Sequence, residues 1–119
     1  MRVDNLHRVE AFTTLDGSTI REVAGPAMDS AQKQSLAEAT VPAGGQTAEH
    51  YHRETEEIYF FTAGTGRMRL GDEERGVAAG DCVVIAPGLP HKLWSSDHEP
   101  LKLLCCCSPA YRDEDTVLT

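Results

Sequence analysis

Residues 44–64 read GGQTAEHYHRETEEIYFFTAG, with glycines at both ends, two histidines one residue apart and a short acidic run behind them. Successive side chains of a β-strand point to opposite faces, so His50 and His52 would present both imidazoles on one face. Glu57 follows across a polar loop, and a short hairpin would bring its carboxylate to the same side. Two histidines so spaced predict a shared metal ion, or a polar patch beside a hairpin.

The segment EIYFFT just after the histidines carries apolar side chains on both faces of its predicted strand. Glu57, Tyr59 and Phe61 share one face, whereas Ile58 and Phe60 share the other. A strand of this kind is covered on both sides, by a second sheet inside and by a loop or a partner subunit outside. We therefore expect a homodimer.

Glycine and proline divide the rest of the chain into short segments of strand length. Evenly spaced short strands with turn signals favour an antiparallel sandwich or barrel, and Ala27–Leu36 is interpreted as a loop running into a strand. The predicted strands are Thr19–Val23, Gln34–Val41, Thr47–His52, Glu57–Thr62, Arg67–Leu70, Asp81–Ala86, His91–Ser95 and Leu101–Cys107.

The bulk properties exclude several classes of partner. The chain has 119 residues, which suits one domain, and its formal net charge of −8 argues against nucleic acid, whose phosphates require clustered Lys and Arg. No apolar run reaches the length of a membrane span, and the N-terminal residues show no signal-peptide pattern. Cys82 and the run Cys105–Cys107 form a poor disulfide framework, so we expect reduced thiols and a cytoplasmic protein.

A second stretch, 80-GDCVVIAPGLPHKLW-94, offers the best remaining metal ligand. Pro87, Gly88 and Pro90 fix the turn just before His91, which would hold its imidazole firmly. Three histidines and one carboxylate suit Fe, Mn, Ni, Zn, Co or Cu as a divalent ion, and spacing alone does not select among them. Such a set leaves one or two coordination positions for water, O₂ or a substrate.

The first stretch resembles the first motif of the cupin superfamily. That motif runs glycine, five residues, HxH, three or four residues, glutamate, six residues and glycine. Here Gly44 precedes His50 and His52 by the required spacing, four residues separate His52 from Glu57, and six separate Glu57 from Gly64. Glu56 is the rival carboxylate, but the count to Gly64 favours Glu57, and strand alternation would turn Glu56 outward.

The second stretch is similar to the second cupin motif, with Gly80, Gly88 and His91 in place. Ala86 stands at the proline of that motif and Ser95 at its asparagine, and neither departure touches a ligand. The resemblance implies an all-β, double-stranded β-helix (a jelly-roll cupin barrel) of one domain, similar to the small cupins called mannose-6-phosphate-isomerase-like. Its barrel core would span about 34–108, between an N-terminal segment 1–33 and a C-terminal tail 109–119.

The cupin resemblance also implies one divalent ion bound by His50, His52, Glu57 and His91 inside the barrel mouth. Tyr59, two residues from Glu57, would offer its hydroxyl to a substrate or serve only as core packing. Polar side chains on two further strands, Arg21 and Glu38, are weak candidates for substrate contacts, with a solvated outer face as the alternative.

Metal-dependent dioxygenases, isomerases, decarboxylases and lyases all occur on the cupin fold. The sequence therefore favours a metalloenzyme that acts on a small polar metabolite, either oxygen-rich or a carboxylate, by Lewis-acid or iron-dependent oxygenase chemistry. The alternative is a module that binds or senses a metal ion or a small ligand without turnover. No DNA-binding segment accompanies the predicted barrel, which removes one common reason for a pure sensor.

Overall fold

A computed structural model describes all 119 residues as eleven strands and three single 3₁₀ turns, with no α-helix. No helix in it is long and apolar enough to cross a membrane. The strands are β1 (Phe12–Thr13), β2 (Thr19–Ala24), β3 (Ser35–Val41), β4 (His50–His52), β5 (Glu56–Ala63), β6 (Thr65–Leu70), β7 (Glu73–Ala78), β8 (Cys82–Ile85), β9 (His91–Ser95), β10 (Leu101–Ser108) and β11 (Thr116–Leu118).

All strand pairs are antiparallel and form two sheets, which confirms the all-β jelly roll expected from the sequence. The first sheet has the order β1-β2-β3-β10-β5-β8 and the second the order β11-β4-β9-β6-β7. Because β4 belongs to the second sheet and β5 to the first, these two strands face each other across the barrel although they are adjacent in sequence.

The core lies between the inner faces of the sheets, where the residues of β10 meet those of β3 and β5. Leu103 lies opposite Ala39 on one side and Phe61 on the other, and Phe61 and Leu103 are both 0% exposed. Burial of such side chains contributes about 1.5–3 kcal/mol each. The buried cluster comprises Ala39, Val41, Tyr59, Phe61, Met68, Val77, Ile85, Leu93, Leu101, Leu103 and Cys105.

The chain crosses from the first sheet to the second at the turn between β5 and β6, and two glycines permit the crossing. Gly64 has a φ of +82°, a conformation that L side chains rarely adopt. A Cβ on Gly66 would lie 2.2 Å from the carbonyl oxygen of Trp94 on the neighbouring strand β9. The backbones of β6 and β9 thus approach each other too closely at Gly66 for any side chain there.

Three strands were not predicted from the sequence, namely β1, β7 and β11. The sequence of β7, EERGVA, is mostly exposed and lacks the apolar alternation that identifies a strand. The predicted strand Thr47–His52 begins three residues later, at His50. The C-terminal tail adds β11 to the edge of β4.

The outer face of the first sheet carries an exposed apolar row, which comprises Leu36, Cys106, Ile58 and Val84. These four residues lie on β3, β10, β5 and β8 at one level of the sheet, because Cys106 pairs with Leu36 and Ile58, and Ile58 pairs with Val84. The side chains of Leu36, Ile58 and Val84 are 37%, 37% and 57% exposed. The outer cover expected over EIYFFT is therefore not supplied by the chain itself.

Candidate metal centre

Three buried histidines converge inside the barrel. His50 and His52 lie on β4 and point inward together, as their spacing predicts, and His91 on β9 pairs directly with His50. The three residues are 4%, 3% and 1% exposed, and one ring nitrogen of each lies within 4.8 Å of the others. Nitrogens at such separations can share one metal ion.

Backbone carbonyls fix the rings of His50 and His91. The Nδ1 atom of His50 lies 2.9 Å from the carbonyl oxygen of Ala48, and that of His91 lies 2.9 Å from the carbonyl oxygen of Leu89. Because a carbonyl only accepts hydrogen bonds, both Nδ1 atoms carry the proton. The Nε2 lone pairs of both rings are therefore free to bind a metal ion.

A hydroxyl performs the same task for His52. Its Nδ1 atom lies 3.1 Å from Oγ1 of Thr116 on β11. That hydroxyl donates its own proton to the carbonyl oxygen of Arg112 at 3.1 Å, so it accepts from His52. The tail strand thus orients a candidate ligand, a role that the sequence did not indicate.

Glu57 reaches the histidines from the opposite sheet. Its Oε1 atom lies 3.2 Å from Nε2 of His52 and 3.6 Å from Nε2 of His91, and its Oε2 atom accepts a hydrogen bond from Sγ of Cys107 at 3.2 Å. Burial raises the pKa of Glu57, and protonated His52 and His91 would outweigh it and lower the pKa to about 2. With both Nε2 atoms unprotonated, a metal ion beside Glu57 would take the place of those protons in keeping the carboxylate ionised.

The atoms that face one another in this cluster are all acceptors. Nε2 of His52, Nε2 of His91 and Oε1 of Glu57 are buried and have no hydrogen-bond partner. An unpaired buried acceptor costs about 1–3 kcal/mol, and a carboxylate costs more. One cation between these atoms would satisfy all three, so the residues present fit a divalent metal ion.

A cavity of about 50 Å³, partly open to solvent, adjoins the cluster. Its walls come from both sheets and from the segment around β1, and Tyr59 lines it while only 4% exposed. Burial raises the pKa of Tyr59 well above 10, so its hydroxyl remains protonated. Burial also lowers the pKa of His50, reinforced by the neighbouring His91, so the imidazole of His50 stays neutral.

Arg21 and Glu38 lie on the outer face, which is the alternative that the sequence left open for them. The two residues pair across β2 and β3, on the face turned away from the cavity, and Nη1 of Arg21 donates to the carbonyl oxygen of Val9 at 2.7 Å. The small residues Ala37 and Ala39 take the inner face of β3 instead. The interior needs small side chains there, because it must hold both the cavity and the bulk of β10.

Two acidic residues that line the cavity were not found from the sequence, namely Asp16 and Glu22. Asp16 lies in the turn between β1 and β2, and its Oδ2 atom is 3.8 Å from Nε2 of His50. In the sequence Asp16-Gly17 is an ordinary turn signal. Only the folding of that turn against β4 brings the carboxylate to the histidines.

Comparisons with known proteins agree with this architecture. The family model described as a cupin domain (Cupin_2) matches residues 37–107, which include both motifs. The chain is 45% identical over 109 residues to Uncharacterized protein MJ1618 of Methanocaldococcus jannaschii, covering 92% of this chain and 87% of that protein.

Solved structures show the same fold at low sequence identity. Pac13 from Streptomyces, described as a nucleoside dehydratase, superposes with a TM-score of 0.80 at 15% identity, covering 100% of this chain and 91% of that one. The polyketide cyclase RemF from Streptomyces resistomycificus superposes with a TM-score of 0.78 at 22% identity, over 97% and 89%. A variant of Pac13 has been crystallised with uridine.

Proposed function

Because this chain belongs to the cupin family, as the matched family model and the relative at 45% identity establish, we propose that it is a divalent-metal-binding metalloenzyme. Its substrate would be a small polar metabolite bound in the cavity beside the histidines. The reaction would be Lewis-acid chemistry or, with iron, an oxygenase reaction.

One observation carries this proposal. In the core the Nε2 atoms of His52 and His91 and the Oε1 atom of Glu57 face one another without hydrogen-bond partners, and a ring nitrogen of His50 lies within 4.8 Å of those of the other two histidines. Buried polar atoms in a folded protein almost always have a bonding partner, so another group is expected to bind these atoms. The four ligands would be His50, His52, Glu57 and His91, and the ion would be one of Fe, Mn, Ni, Zn, Co or Cu.

The ion would supply polarisation of an oxygen atom on the bound substrate. The chain itself would do the rest. The carbonyl oxygens of Ala48 and Leu89 would hold two imidazoles in place, and Cys107 would hold the carboxylate of Glu57 by its second oxygen. Tyr59 would present a protonated hydroxyl to the substrate from the cavity wall.

The second candidate is a non-catalytic module that binds a metal ion or a small ligand. The apolar character of much of the wall favours it, since 11 of the 21 lining residues are hydrophobic. Turnover separates the two candidates, because the module would bind its metal stoichiometrically and convert nothing.

Metal analysis of the purified protein tests the centre directly. We expect about one transition-metal ion per chain in the wild type, and strong depletion in His50→Ala. His98→Ala is the matched control, because His98 is exposed in the loop after β9 and should leave the metal content unchanged. Equal metal content in all three proteins would remove the site assignment. Oxygen uptake and product formation with small diols, dicarbonyls and hydroxy acids would then test for turnover.

We further propose that the exposed apolar row on the outer face of the first sheet is the interface of a homodimer. Ile58→Asp at the centre of the row should convert a dimer to a monomer in light scattering after gel filtration. Val3→Asp, which also replaces an exposed apolar residue, should not. A wild-type monomer, or a dimer that survives Ile58→Asp, would refute this interface.

A reducing compartment, the cytoplasm, is proposed on separate grounds. All four cysteines are free thiols, and three of them are consecutive on β10, where neighbours point to opposite faces.

A further inference from the structure

The charged residues of the cavity are all acidic. Asp16, Glu22 and Glu57 line it, and no Lys or Arg does. If a divalent ion with neutral histidines and an ionised Glu57 has a net charge of about +1, Asp16 brings the total to about zero. An ionised Glu22 would make it negative. A carboxylate substrate would therefore enter a site in which the positive charge of the ion is already neutralised.

Asp16 has one oxygen engaged and one oxygen free. Its Oδ1 atom accepts from Oγ1 of Thr14 at 2.7 Å, from the backbone nitrogen of Ser18 at 2.8 Å and from Oγ of Ser18 at 2.6 Å. Its Oδ2 atom has no hydrogen-bond partner and faces Nε2 of His50 at 3.8 Å, and the side chain is 13% exposed. The free oxygen is thus turned toward the candidate metal centre.

The position of Asp16 suits a contact with the bound substrate better than a bond to the ion. Glu57 approaches Nε2 of His52 and of His91, whereas Asp16 approaches only His50. Asp16 therefore borders the space next to His50 that Glu57 does not reach.

The backbone fixes Asp16 relative to the histidines. The carbonyl oxygen of Asp16 accepts a hydrogen bond from the nitrogen of Ala48 at 2.7 Å, and the carbonyl oxygen of Ala48 accepts from Nδ1 of His50 at 2.9 Å. Gly17, with a φ of +90°, makes the tight turn that this arrangement requires. The free carboxylate oxygen is accordingly held in place before any substrate arrives.

We propose that Asp16 accepts a hydrogen bond from a hydroxyl group of the substrate bound beside His50, and that the cavity thereby selects neutral, hydroxyl-bearing compounds over carboxylates. This inference rests on the proposed function, because it names the substrate class of the same site. An ionised carboxylate oxygen accepts a hydrogen bond from a hydroxyl group but repels a second carboxylate. Glu22 adds to the repulsion, since it has no ion pair in the structure and lines the same cavity.

Glycerol and glycerate form a matched pair of probes, because they differ only in the replacement of one hydroxymethyl group by a carboxylate. Their affinities for the Zn(II)-loaded protein would be measured by ligand-detected saturation-transfer NMR. We expect the wild type to prefer glycerol about tenfold or more. Asp16→Asn should weaken glycerol and strengthen glycerate, each about fivefold, because a neutral amide replaces the carboxylate.

Asp72→Asn is the control, because Asp72 lies in the exposed turn between β6 and β7, and this substitution removes the same charge outside the cavity. Its preference should equal that of the wild type. A wild type that prefers glycerate or binds neither probe, or an Asp16→Asn protein with unchanged preference, would overturn the proposal. Loss of bound Zn(II) in Asp16→Asn would overturn it as well, by making Asp16 a ligand.

Failure of the proposed function would look different, because the wild type itself would then hold no Zn(II). The same two probes and variants would in that case be compared in the metal-free protein, whose cavity keeps the Asp16 and Glu22 carboxylates. A preference for glycerol that Asp16→Asn abolishes would support the substrate class, and its absence would overturn it.

Discussion

Replacement of Asp115 should destabilise the protein far more than its place in an acidic C-terminal tail suggests. The residue is 3% exposed, and its carboxylate accepts from the backbone nitrogen of Glu54 at 2.9 Å and from that of Thr55 at 3.1 Å. These two nitrogens belong to the loop that joins His52 to Glu57. Asp115 therefore holds the connection between two candidate metal ligands from the far end of the chain.

The magnitude follows from the two bonds. Hydrogen bonds to a charged group contribute about 1.5–3 kcal/mol each, and Asp115→Ala removes both. Water can reach the exposed Glu54 but not Thr55, which is 1% exposed, so we expect a total loss of about 3 kcal/mol. For a chain of this length the loss corresponds to a fall in Tm of about 12 °C. Asp115→Asn keeps one acceptor oxygen and should lose about half as much.

Urea denaturation of the metal-free protein at neutral pH measures these losses. Glu114→Ala is the control, because Glu114 is the exposed neighbour of Asp115 and its side chain makes no hydrogen bond. This substitution should change stability by less than about 0.5 kcal/mol. Burial raises the pKa of Asp115, but the two backbone donors outweigh it and hold the pKa below 3.8. The stabilisation is thus present above that pH and is lost as the pH falls through the lowered pKa. Equal stabilities of Asp115→Ala and Glu114→Ala would refute the reasoning.

Three further predictions concern acidity, backbone contact and thiol access. Burial lowers the pKa of His50 below 6.5, so the unfolded chain takes up a proton at a higher pH than the folded protein does. The metal-free protein should therefore lose stability as the pH falls below 6.5. Urea midpoints that do not change between pH 7.5 and 5.5 would contradict this. Gly66→Ala should prevent folding or cost more than about 3 kcal/mol, whereas Gly76→Ala, whose Cβ would lie 3.8 Å from the nearest atom, should fold with a circular dichroism spectrum and Tm near those of the wild type. Iodoacetamide followed by mass spectrometry should label exposed Cys82 well before buried Cys107, whose pKa is raised by burial and by the Glu57 carboxylate; comparable rates in the folded protein would refute the placement of Cys107.

The local pattern of the sequence was sufficient for the inward-facing histidines and their carboxylate. Strand alternation, together with the motif's count of residues to Gly64, separates Glu57, which is 5% exposed, from its exposed neighbour Glu56. It also places Tyr59 and Phe61 inside, and the outcome agrees because β5 is long, regular and rich in large side chains. Where a strand has a strong side-chain pattern, its period of two determines which residues face the core.

The same rule left the orientation open on β2 and β3, which supply Arg21 and Glu38. Their sequences hold few large apolar residues, and the pairing of β2 with β3 shifts register between Glu22 and Ala24, so the pattern does not determine which face is inside. The inner face of β3 is instead set by the space left beside β10, which admits small residues such as Ala37.

The sequence by itself determined the fold class, the two motifs and the inward set His50, His52, Glu57 and His91, because side-chain alternation, turn residues and motif spacing can all be read along the chain. Only the tertiary structure decided that Asp16 lies beside His50 and that Asp115 holds the loop before Glu57. Those contacts join segments 34 and 60 residues apart or more. Their partners are backbone groups and ring nitrogens, which leave no periodic mark on the sequence.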